Sequence, residues 1–82
     1  MKLVEATSLR IQELLKINRL TIQELAQKSN LPVDSINYFF SSKDDFVDLR
    51  IIFRICCGLG IEMTQFYKSD LFKSINLKGN KE

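Results

Sequence analysis

Residues 20–41 read LTIQELAQKSNLPVDSINYFFS, and the punctuation inside that stretch decides the architecture. Thr21 is a good helix N-cap, and Glu24 stands three residues later. This spacing makes a capping box: the Thr21 hydroxyl accepts from the Glu24 N–H while the Glu24 carboxylate reaches back to the Thr21 N–H. The helix so opened carries Leu25 and Ala26 inward and stops near Ser29 and Asn30. Asparagine is the non-glycine residue best suited to a left-handed helix end. Pro32 suits the first turn of a new helix, where its missing N–H costs nothing, and Asp34 adds a favourable charge near the positive helix end. Ile36 and Phe39 form the i, i+3 inward pair. The reading is a short helix, a tight turn and a second short helix. Ala26 is the small residue at their close crossing, and Leu25, Leu31, Ile36 and Phe39 seal the core between them.

Outward from this unit nearly every signal is helical. A first helix is expected from about Val4 to Ile17, with Ile11, Leu14 and Leu15 on one side; Asn18, Arg19 and Leu20 then connect it to Thr21. After the motif, Ser41, Ser42 and Lys43 make a loop. Asp44 or Asp45 caps a longer helix running to about Cys57, with Phe46, Leu49, Ile52, Phe53 and Cys56 as its apolar positions. Gly58 and Gly60 end it. A fifth helix follows from about Glu62 through Tyr67, with a continuation to Phe72 left open; residues 78–82 form a frayed tail. The fold class is all-α: one compact five-helix domain over residues 1–77, with the helix-turn-helix motif at about 21–41.

Composition narrows the function. The chain has 82 residues, 45% hydrophobic and 27% charged, with a net charge of +2. That suffices for one core and leaves little for a deep catalytic cleft. There is no His, which removes Ser-His-Asp and Cys-His catalysis and the commonest metal ligand. The two cysteines, Cys56 and Cys57, are adjacent. On a helix they project about 100° apart, a poor geometry for a mutual bridge. Two thiols without His do not make a zinc site, so no metal, no cofactor and no enzyme activity are expected. No apolar run approaches a membrane span, and the Met1-Lys2 start lacks a following apolar signal region. A cytoplasmic protein with reduced thiols is the expectation.

The stretch from Leu20 to Pro32, followed by Ile36, Lys43 and the later run Ile55, Cys56, Cys57, Gly58, Leu59, Gly60, Ile61, resembles the phage repressor/Cro-type (XRE-like) helix-turn-helix family. The likeness covers about residues 7–68. It implies a DNA-binding domain acting as a transcriptional regulator, with the stretch from Pro32 to Phe40 as recognition helix in the major groove. Carried onto this chain, the DNA-binding residues are Thr21, Gln23, Lys28, Pro32, Val33, Asp34, Ser35, Asn37, Tyr38, Ser41 and Lys43. The family also pairs a first-helix Arg with a Glu at the recognition-helix end; here those positions hold Leu15 and Phe40, so an apolar contact is expected instead.

Each assignment has a plainer counterpart. Lys28, Lys43, Arg10 and Arg19 are phosphate contacts or ordinary solvated charges. Ser35 and Asn37 read bases or are inert surface. Tyr38 stacks on sugar or shields Phe40, and Thr21 is first of all a cap. Phe66, Tyr67, Leu71 and Phe72 recur at helical spacing beyond the motif core, and the expectation is a homodimer surface shared with core cover. The expected partners are double-stranded DNA and a second copy. The alternative is a protein-interaction module, or an antitoxin, on a helix-turn-helix scaffold: Asp34 disfavours approach to phosphates, and Val33, Tyr38 and Phe40 would then face a partner protein.

Overall fold

Three of the helices end in the same way, and those ends set the path of the chain. The computed structural model describes residues 2–41 and 45–74. Among them are α1 (Leu3–Asn18), α2 (Ile22–Ser29), α3 (Val33–Ser41), α4 (Leu49–Leu59), α5 (Met63–Tyr67) and a terminal 3-10 turn (Asp70–Ser74), with no strand. Helix α1 closes on Arg19 (φ 56°), α2 on Asn30 (φ 57°) and α4 on Gly60 (φ 73°), all left-handed. In each case the next N–H returns to a carbonyl five residues back: Leu20 to Leu15 at 2.9 Å, Leu31 to Ala26 at 2.9 Å, Ile61 to Cys56 at 3.0 Å. This is the Schellman motif, and it places an apolar residue just beyond each turn. Leu20, Leu31 and Ile61 are all half-buried there. Glycine and asparagine tolerate the left-handed conformation; at Arg19 the Cβ adds strain of about 1–2 kcal/mol.

The core draws on every helix. Ile11, Leu25, Ile36, Ile52, Ile55 and Phe66 are fully enclosed, with Val4, Leu14, Ala26, Phe39 and Cys56 around them. Helix α2 lies against α4, α3 rests on α1 and α2, and α5 and the 3-10 turn close over α4 and α1. Leu15 and Phe40 are both half-buried against this core. Among the described residues no helix is long and apolar enough to cross a membrane.

The second half of the chain departs from the reading above in three ways. Asp48, not Asp44 or Asp45, caps α4: its carboxylate accepts from the Arg50 N–H at 2.9 Å. Asp45 instead accepts from the Val4 N–H at 3.0 Å and so caps α1 across 41 residues; Asp44 lies outside the described residues. Because α4 starts at Leu49, its inward face is Ile52, Ile55 and Cys56, while Phe46, Leu49 and Phe53 point outward, 61%, 56% and 56% exposed. Gly58 does not end α4 but sits inside it. A Cβ there would stand 2.5 Å from the Ser29 hydroxyl and 3.0 Å from the Lys28 backbone, so glycine is what lets α4 touch the end of α2. Helix α5 ends at Tyr67 as expected, and the continuation left open to Phe72 is a separate 3-10 turn. The expected frayed tail, 78–82, lies outside the described residues.

Candidate nucleic-acid interface

Helix α3 is held at its start by the Asn30 turn and along one side by Ile36 and Phe39, which are buried. The helix begins at Val33, one residue after Pro32, whose carbonyl accepts from the Ser35 N–H at 3.0 Å. The opposite side is then fixed by the helical period. Asp34, Asn37 and Ser41 are exposed and recur at spacings of three and four, which makes one stripe. The Ser41 hydroxyl donates to the Asn37 carbonyl at 3.2 Å; the Asn37 side-chain amide remains at the surface, able to donate and accept together. Tyr38 flanks the stripe, 38% exposed, its ring edge-on to Phe39 at 5.8 Å. Val33 and Ser35 are only half exposed, and Val33 packs against the core.

Of the other residues assigned from sequence, Thr21, Gln23, Lys28 and Pro32 are exposed. Thr21 is engaged in the capping box: its hydroxyl accepts from Glu24 at 3.1 Å and its N–H donates to the Glu24 carboxylate at 2.8 Å. The Leu25 N–H donates to the Thr21 carbonyl at 3.0 Å, and the positive end of the α2 dipole lies at this exposed turn. Lys43 lies outside the described residues.

Arg10 is a correction. Its guanidinium donates to the Phe66 carbonyl at 2.7 Å and the Gln65 carbonyl at 2.8 Å, and bridges to Glu13 at 3.0 Å. It clamps α1 to the end of α5 and is not a free phosphate ligand. Phe66, placed on a dimer surface from sequence, is a core residue with no exposure. Tyr67 and Phe72 are half-buried beside it, ring centroids 4.9 Å apart, and Leu71 is half-buried over α1. The stripe is therefore mostly core cover.

One neighbour of the interface escaped the sequence reading. A shallow groove of about 360 Å³ beside α3 is lined by Asp34, Ser35, Tyr38, Phe46, Asp48 and Ile51. The Arg50 guanidinium, bonded to Asp48 at 3.1 Å, holds that carboxyl below the usual carboxylate range. The available signal was Asp48 itself: taken as the α4 cap, it moves Phe46 out of the helix and towards α3. Burial pushes the Cys56 thiol up, which disfavours the thiolate.

Compared with protein-family models, curated proteins and solved structures, the chain matches none.

Proposed function

We propose that this chain binds double-stranded DNA and acts as a transcriptional regulator of the repressor/Cro type. The observation that carries the reading is the exposed stripe Asp34, Asn37 and Ser41 on a short helix whose opposite side is locked by Ile36 and Phe39. A helix fixed in this way presents polar groups at a set height, which reading base edges in the major groove requires. In this mechanism α3 enters the groove. The exposed start of α2, with Thr21 and Gln23, meets the backbone phosphate through its N–H groups, and Lys28 adds a cation. Asn37 is the residue best equipped for a bidentate contact to adenine. No chemistry is performed; occupancy of the site blocks or recruits the transcription machinery. Such a regulator works in the cytoplasm.

A net charge of +2 means that affinity comes from a few placed cations and helix ends. With about six phosphate contacts in a pair of subunits, log affinity falls against log salt with a slope of about −5. Selection of bound fragments from random duplex DNA at low salt tests the reading. Enrichment of one sequence with two-fold symmetry supports it. Equal retention of all sequences, or of none, rejects it.

A second reading has one specific observation in its favour. Phe46 stands beside Asp34, Ser35 and Tyr38 in one groove, an apolar and acidic neighbourhood better suited to protein than to phosphate. If DNA selection fails, an interaction module using the same face of α3 is the reading that remains.

A further inference from the structure

Helix α4 is capped at Asp48 and buries Ile52, Ile55 and Cys56, and the helical period then fixes what lies on its other side. Leu49 and Phe53 form one row at i, i+4, each 56% exposed. Arg50 and Arg54, both exposed, form a second row one residue round. The two rows line a shallow groove of about 730 Å³, completed by Asp48, Ile51 and, from the turn before α3, Leu31. We infer that this groove docks an amphipathic helix of another protein, one with apolar residues along one row and Asp or Glu along the next.

Charge and spacing select that partner. The Asp48 carboxylate accepts from Arg50 Nε at 3.2 Å and from Arg50 Nη2 at 3.1 Å, so these two residues neutralise each other. Arg54 has no ion pair among the described residues; its guanidinium makes one long contact, 3.5 Å, to the Asn30 carbonyl. The groove therefore holds a cation without a counter-charge beside two large apolar side chains. A carboxylate can pair with that guanidinium through two parallel N–H···O bonds. An apolar side chain next to the carboxylate then covers Leu31, Leu49 and Phe53. Residues four apart on a helix stand about 5–6 Å from each other, so a second helix laid along α4 repeats both rows at the same interval. Other covers match less well. A second copy brings the same excess of cation to the contact, and a nucleic-acid or lipid surface sets phosphates against Asp48 as well as Arg54.

This inference does not depend on α3 touching DNA, and its test contains none. The probes are a labelled amphipathic helical peptide of Leu and Glu, its counterpart with every Glu replaced by Lys, and phosphatidylserine vesicles. Fluorescence anisotropy with the full chain should show binding of the Leu/Glu peptide and not of the Leu/Lys peptide. Arg54→Gln, which keeps the length of the side chain and removes its charge, should weaken that binding about tenfold, the scale of one charge-assisted contact. Arg54→Glu should shift the preference towards the Leu/Lys peptide. Phe53→Ser should weaken binding with the helical circular-dichroism signal unchanged, because its side chain is outside the core. Ile17→Glu, exposed on α1, should leave binding as it is. Equal binding of both peptides, or of neither, overturns the inference. So does a Leu/Glu complex that Arg54→Gln and Phe53→Ser leave intact, or Arg54-dependent binding to the vesicles instead of the peptide.

Discussion

The α2–α3 unit and the α4–α5 unit turn the chain with the same hardware and put it to opposite uses. Each has a helix ended by a left-handed residue, Asn30 or Gly60, and a backbone bond from the residue after it. Each then has a new helix after two residues. The difference is the second helix. Helix α3 has nine residues and buries two of them, Ile36 and Phe39, leaving a polar stripe outside. Helix α5 has five, inserts Phe66 into the core, and has its last carbonyls held by Arg10. A tight turn between helices therefore does not make a reading surface. What distinguishes the first unit is a second helix long enough to have both an anchored and a free side.

If that contrast is right, aromatic residues on the two second helices differ sharply in what they support. Phe66→Ala should cost about 3–5 kcal/mol, as for a fully enclosed aromatic. Tyr38→Ala should cost about 0.5–1.5 kcal/mol, the scale of its edge contact with Phe39. Urea denaturation of both variants measures the difference. Equal losses would mean that α3 is as deeply committed to the core as α5, and the comparison would fail.

The two units also meet, because α4 lies on α2, and Gly58 marks the point of contact. Alanine is the better helix former by roughly 0.5–1 kcal/mol. Here its methyl would meet the Lys28 and Ser29 backbone at 3.0 Å as well as the Ser29 hydroxyl, and overpacking of this kind costs about 1–3 kcal/mol. Gly58→Ala should therefore melt lower by about 4–8 °C for each kcal/mol of net loss. A variant melting above the parent would show that α2 and α4 can separate slightly without penalty.

The same contrast explains which features could be read in advance. The capping box at Thr21 and Glu24, the left-handed Asn30 and the inward pair Ile36 and Phe39 are all settled within four residues of chain, so local spacing carries them. In the second half the deciding partners are distant. Asp45 has the composition of a local cap but serves Val4, 41 residues away. Gly58 has the composition of a helix end but is needed for an approach to Ser29. With the α4 cap at Asp48, Ile52 and Cys56 stay inward and Ile55 joins them, while Phe46, Leu49 and Phe53 come out to solvent. Arg10 is the same case seen in a charge: nothing near it in sequence announces the carbonyls of Gln65 and Phe66. The exposure of Asp34, Asn37 and Ser41 was legible as well, because the surface of α3 is the complement of its core side.

The smallest changes in stability carry the sharpest test of that surface. Asn37 and Asp34 are exposed on α3, so replacing either should move stability by no more than about 0.5 kcal/mol. Any effect then belongs to recognition. Asn37→Ala should relax preference at one base step, with about 1–3 kcal/mol of discrimination lost, because the amide can no longer bond two atoms of an adenine edge. Asp34→Asn should act differently. Removing a carboxylate from a helix beside the phosphates should strengthen binding to all sequences alike; if the carboxylate accepts from a cytosine amine, the selected site should weaken or change instead. Both outcomes require α3 to lie in the groove and are read by titrating labelled duplexes of selected and scrambled sequence at fixed salt. Unchanged affinity for both duplexes in both variants would mean that the free side of α3 does not approach DNA, and the polar stripe would then belong to the interaction-module reading.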